Sequence, residues 1–232
     1  MGSEFWVGLA QIMVINMVLS GDNAVVIALA CRNLAPAQRK WGIIWGTVGA
    51  VIFRIVLTFM AAWLLQFAYL QIVGGALLIL IAIKLLADEG EEEIEAQGDL
   101  VSAIKTIIFA DVIMSLDNVL GIAAVAKDNY LLLVVGLVIS IPIVVFGATL
   151  VLKLMDRFPA IVYIGAGILG YVAGEMFVGD KAVAEFMHHH EFLHTVIPWA
   201  GLAFVIIVGR ILQKRHSGQG HESTEGSEAE QQ

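Results

Sequence analysis

Asp22 and Asn23 stand side by side in a run from Phe5 to Ala30 that is otherwise almost wholly apolar, preceded by Ser20 and Gly21. The pattern returns as Ser115-Leu116-Asp117-Asn118 inside a second apolar run. Carboxylates and carboxamides at membrane depth are costly, and by default they mark functional sites. Asn16, Ser20 and Asn23 follow i, i+4, i+7 spacing and share one helical face; Asp111, Ser115 and Asn118 repeat it. Asp22 and Asp117 lie about 100° off those faces. Two solutions follow. The helix unwinds at Gly21 and at its counterpart, aiming the carboxylates and freed carbonyls into one cavity. Otherwise the aspartates face another helix and pair with a cation such as Arg54. Gly21 favours a break in the first copy more than Leu116 does in the second.

The donors are all oxygen: the carboxylates of Asp22, Asp111 and Asp117, the amides of Asn16, Asn23 and Asn118, and the hydroxyls of Ser20 and Ser115. Such sets suit magnesium, calcium or manganese, whereas soft metals favour Cys, Met or His. Three carboxylates beside Arg54 leave a local charge of about −2, which a divalent cation would neutralise. Protonated aspartates acting as a proton relay would serve equally.

The elements that position these residues are apolar helices. The chain has 232 residues, of which 59% are hydrophobic and 15% charged, against about 25% charged in ordinary globular chains. Seven spans are expected, at 5–30, 41–66, 69–87, 101–126, 131–152, 160–178 and 193–212. About 20 apolar residues cross a hydrocarbon core of about 30 Å, and these runs are apolar on every face, which excludes an alternating β-barrel. With the N-terminus outside, ten of the 13 Lys and Arg residues fall on the inner side; Lys127 and Lys181 fall outside and Arg54 lies within a span. That bias predicts N-out, C-in. The start lacks the basic region and cleavage site of a removable signal peptide.

Sliding the halves by 95 positions superposes Asn16 on Asp111, Ser20 on Ser115, Asp22 on Asp117 and Asn23 on Asn118. At a slightly different offset, Gly74 falls on Gly165 and Lys84 on Glu175. Three spans separate matched elements, so the second copy is inserted upside down. The expected fold is an all-α polytopic membrane protein with a 3+3 inverted-topology repeat and a seventh helix. Residues 1–87 form the first repeat, 88–100 an acidic cytoplasmic linker, 101–178 the inverted repeat, 179–192 a His-rich outer loop, 193–213 the seventh helix and 214–232 a disordered tail. Arg54 reads first as a counter-ion for Asp22 or Asp111. Lys84 and Glu175 read as snorkelling side chains, with a gating role as the sharper alternative. The glycines of spans two and six read as close-packing faces. Pro142 predicts a kink in span five.

Four histidines and Glu191 fall within residues 188–194, but adjacent histidines diverge on a helix and form no ready-made cage. They read as a solvated loop, with surface metal contact as the alternative. The acidic linker reads as solvated, with weak cation capture as its alternative. The single cysteine, Cys31, excludes an internal disulfide and cysteine metal clusters. No nucleic-acid patch, nucleotide-binding loop or zinc-hydrolase signature is present, so no enzyme activity is expected.

With both motifs in view, from Ser20-Gly21-Asp22-Asn23 to Ser115-Leu116-Asp117-Asn118, and with Arg54 and Lys84 in the intervening spans, residues 3–212 resemble the TerC family of membrane proteins. Within it the chain is most similar to the YjbE-type branch, in the wider group of LysE-like transporters. The resemblance implies Asp22, Asn23, Asp117 and Asn118 as substrate-site residues, with Asp111 at the acidic position before the second motif. It also implies manganese as the transported ion, ahead of Ca²⁺ or Mg²⁺, export as the direction, and the bacterial inner membrane as the location. No organic cofactor is expected. The expected partners are the lipid bilayer and a divalent metal ion, with room for homo-oligomerisation or a membrane-protein partner. The alternative reading is an accessory membrane subunit of a metal-resistance or exoprotein-metalation complex, without transport of its own.

Overall fold

A computed structural model of the chain describes residues 6, 9–10, 21–64, 67–87, 99–126 and 130–229; the side chains of 61–64, 116–126, 130, 132 and 214–229 lie outside that description. Every regular element among the described residues is helical. In chain order they are α1 (Gly21–Cys31), α2 (Pro36–Leu64), α3 (Leu70–Ala87), α4 (Leu100–Ala126), α5 (Tyr130–Arg157), α6 (Ala160–Gly179), the short α7 (Ala184–His189) and α8 (Leu193–Ala229). Five are long and apolar enough to cross a bilayer: α2, α3, α5, α6 and α8. The other two expected spans, containing α1 and α4, fall partly on residues or side chains outside the description.

The bundle is a polytopic membrane fold, with large apolar side chains such as Trp45, Phe146 and Ile207 on its outside. Small residues set the spacing inside. On α2, a Cβ at Gly46 or Gly49 would come within 2.5 Å of Ile107 or Ile108 of α4, so these two helices approach as only glycine permits. On α6, Gly170 faces the Gly201 carbonyl and Gly174 faces Pro198, seating α8 backbone to backbone. The expected packing role of these glycines is thus met in the structure. α2 packs along α4, α1 along α5, and α3 along α6, with α8 covering α3 and α6. Pro142 lies inside an unbroken α5, and buried Ser140 donates to the Leu137 carbonyl at 2.6 Å just before it.

Asp180 joins α6 to α3. It follows the last residue of α6 and is 2% exposed, and its carboxylate accepts the amides of Tyr69 and Ala182 through one oxygen and of Gln71 and Ile72 through the other. Three of these, the amides of Tyr69, Gln71 and Ile72, are donors at the α3 N-terminus, where a negative charge also meets the positive end of the helix dipole. Tyr69 holds a φ of 68°, a left-handed conformation unfavourable for a bulky residue, and the Asp180 bond pins its amide there. Because the end of α6 meets the start of α3, the two helices run antiparallel.

α4 is continuous through Leu116, Asp117 and Asn118, so of the two solutions left open the second copy does not take the unwound one, as the absence of a glycine there favoured. The break favoured in the first copy concerns Gly21, where α1 begins, and the residues just before it lie outside the described residues. An unbroken helix satisfies its backbone groups internally, as a bilayer requires. The backbone of α8 is traced as far as Ala229.

Two outcomes follow for stability. Gly174→Leu would drive a side chain into Pro198, with Cβ 2.5 Å from its Cα. It should destabilise the detergent-solubilised protein by about 1–3 kcal/mol or more, read as a lowered Tm. Asp180→Ala should cost about 0.5–2 kcal/mol. Burial raises the Asp180 pKa, but the four backbone amides outweigh it and hold the carboxyl below its ordinary value. With the folded pKa depressed, its contribution is fully present above the ordinary carboxylate range and lost as pH falls through the folded value. The Tm difference between wild type and Asp180→Ala should therefore shrink on acidification below about pH 4.

Candidate functional site in the helix bundle

The site forms where α1, α2 and α4 meet. The close approach at Gly46 and Gly49 brings the next turns of α2 against α4, and there Arg54 is 3% exposed, Asp111 6% and Ser115 fully buried. The Arg54 guanidinium pairs with an Asp111 carboxylate oxygen, and its Nε donates to Ser115 Oγ at 3.0 Å. Ser115, one turn along the same face from Asp111, donates to the other carboxylate oxygen at 3.3 Å. Thr58 Oγ1 donates to the Arg54 carbonyl at 2.7 Å, from one turn further on. Each charged group thus meets a partner of opposite charge as well as a hydroxyl, which is what permits an ion pair away from water.

Asp22 approaches from α1. It is half-buried at the start of that helix, accepts the Asn23 amide at 2.8 Å, and lies within Coulombic reach of both Arg54 and Asp111. Asn23 is buried at 4% exposure. Of the residues singled out in the sequence, the structure therefore gathers Asp22, Asn23, Arg54, Asp111 and Ser115. The choice left open for Arg54 falls on Asp111 as its ion-pair partner. Two carboxylates against one guanidinium leave the described group with a net charge of −1. Asn16 and Ser20 lie outside the described residues, as do the side chains of Asp117 and Asn118.

Lys84 and Glu175 are not brought together. Both are exposed, and each sits near the C-terminal end of one of two antiparallel helices, so they lie at opposite ends of the bundle. Among the described residues, no three His, Cys, Asp or Glu side chains gather as a metal site. That includes the histidines of residues 188–194: the Nδ1 atoms of His189 and His190 lie 2.9 and 3.0 Å from the carbonyl oxygens of Glu185 and Phe186, and His190 stacks on Phe186.

Two threonines were missed. Thr58 supports the Arg54 backbone, and Thr47, 1% exposed, has a hydroxyl without a hydrogen bond among the described residues. The spacing of Thr47, Arg54 and Thr58 was the available signal: seven and four residues, one polar stripe on an apolar helix.

Fold and site together define a multi-pass helical membrane protein with a buried, charge-bearing core. The chain belongs to the integral membrane protein TerC family, whose match covers residues 1–217. It is 39% identical over 215 residues to the uncharacterized membrane protein YjbE of Bacillus subtilis, covering 92% of this chain and 99% of that protein. Similarity at 26% identity extends to YceF of Bacillus subtilis, over 88% of this chain and 78% of that protein. The inner membrane protein YgdQ of Escherichia coli is also 26% identical, over 67% and 73% respectively. No solved structure matches the chain.

Removing one partner of the ion pair strands the other. Arg54→Met should cost about 3–5 kcal/mol by leaving Asp111 buried without its counter-charge. The double change Arg54→Met with Asp111→Leu should recover much of that loss. Thermal unfolding in detergent of wild type, both single variants and the double variant measures the coupling.

Proposed function

We propose that this chain is a secondary transporter that moves divalent metal cations, Mn²⁺ foremost, out of the cytoplasm by alternating access, and that it performs no catalysis. The grouping of half-buried Asp22 with buried Asn23, Arg54, Asp111 and Ser115 inside a membrane bundle carries the reading. Its donors toward a cation are oxygens, which favours Mn²⁺, Ca²⁺ or Mg²⁺ over softer metals. Asp117 and Asn118, on the same α4, belong to the proposed substrate pathway with Asn16 and Ser20. In the resting arrangement Arg54 occupies the place of a cation beside Asp111. An arriving divalent ion competes with it for the carboxylate, and protons reload the carboxylates when the ion leaves. That exchange makes proton coupling the natural energy source.

Helix packing supports the 3+3 inverted repeat that alternating access would use. Exchanging α1, α2 and α3 with α4, α5 and α6 turns the α2–α4 contact into α5–α1, α3–α4 into α6–α1, and α1–α2 into α4–α5; all six are present. The contacts that the exchange leaves unchanged, α1–α4, α2–α5 and α3–α6, are present as well. The antiparallel α3 and α6 fit an upside-down second copy. In this reading α8 is the seventh helix, the N-terminus is outside, and the C-terminus is in the cytoplasm. Lys84 and Glu175 then sit near opposite membrane faces, each placed to act at its own gate.

The test is Mn²⁺ flux in proteoliposomes. Asp22→Asn and Asp111→Asn should abolish protein-dependent flux, and Ser115→Ala, which removes a group orienting Asp111, should weaken Mn²⁺ affinity by about 10–100-fold. Flux no faster than in empty liposomes would overturn the proposal. Manganese tolerance in cells that requires residues 214–232 but neither aspartate would favour the accessory-subunit reading.

A further inference from the structure

A cleft of about 450 Å³ opens between the N-terminal part of α2 and the C-terminal part of α5. Its wall is apolar, from Ile43, Ile44, Val145 and Leu152, and its mouth is basic, from Arg39, Lys40 and Lys153, with Asp156 as its one acid. The cations are not equivalent. Arg39 is fully engaged: it donates to Asp156 at 2.8 Å, to the Arg32 carbonyl at 2.7 Å and to the Leu34 carbonyl at 3.0 Å, tying the α1–α2 turn to the end of α5. Lys40 and Lys153 are exposed and have no anionic partner among the described residues. The mouth therefore carries two surplus positive charges directly above an apolar trough.

Height in the membrane agrees with charge. Trp41 and Trp45 are about half exposed on the same stretch of α2, as aromatic side chains are at the level of lipid headgroups. An occupant must then be anionic at one end and aliphatic at the other, and it must reach the cleft from the bilayer.

We propose that this cleft is a binding site for one anionic phospholipid. The phosphate sits between Lys40 and Lys153, and an acyl chain lies along Ile43, Ile44 and Val145. Basic pockets between helices at one membrane face are a recurring means of headgroup capture. The lipid would bridge α2 and α5, two helices from opposite halves of the chain. The site is separate from the buried Arg54 group and stands whether or not the chain moves a metal.

Native mass spectrometry of the detergent-purified full chain tests it, with phosphatidylglycerol, phosphatidylcholine and inorganic phosphate added in turn. Phosphatidylglycerol should be retained over phosphatidylcholine, and free phosphate should not bind measurably. Lys40→Gln and Lys153→Gln should each weaken retention about fivefold. Lys181→Gln, outside the cleft, should leave it unchanged. Val145→Trp should lower it by filling the trough with both lysines intact, which separates the site from general surface charge. Equal retention of the two lipids, binding of phosphate alone, or retention unaffected by both lysine variants and by Val145→Trp would overturn the proposal.

Discussion

The Arg54–Asp111 ion pair is the constraint around which the bundle is arranged. Away from water, neither charge is tolerable alone, and the pair holds only with good geometry and further hydrogen bonds. Ser115 supplies those bonds to both partners, and the glycines at 46 and 49 bring the two helix backbones close enough for the side chains to meet. Changing the glycines would move the charges apart as surely as changing the charges themselves. Helix packing and site chemistry are therefore one problem in this protein.

Much of this was legible from the sequence because a bilayer punishes exceptions. A polar residue in an apolar span must have a reason, so Asp22, Asn23, Arg54, Asp111 and Ser115 could be singled out without any structure. Which carboxylate takes Arg54 could not be read, since helical spacing fixes a face but not the helix opposite it. Asp180 was illegible for a different reason. It looks like any loop acid, and its partners are backbone amides near Tyr69, 111 residues away. The question of unwinding has its answer in the backbone of α4, which is one helix through Asp117.

Apart from the seating of α8 on α6, the most extensive contacts of the bundle join its two halves rather than elements within one half. α2 lies on α4, α1 on α5 and α3 on α6, whereas neighbours along the chain touch less. Asp180 adds a bond of the same kind, reaching from the end of the second half to the start of a helix in the first. Neither half encloses a core of its own, so stability belongs to the assembled pair.

That arrangement has a consequence for biogenesis. Arg54 leaves the ribosome 57 residues before Asp111. At about 5–20 residues per second, it waits roughly 3–11 s for its counter-charge. A lone arginine in mid-span costs the insertion machinery about 2.5–3.5 kcal/mol, which the surrounding Val51, Ile52, Phe53, Ile55 and Val56 must offset until α4 arrives. During that interval α2 is a membrane helix with an open ionic valence. A pause in synthesis within the acidic linker would lengthen the exposure of that charge to quality-control proteases.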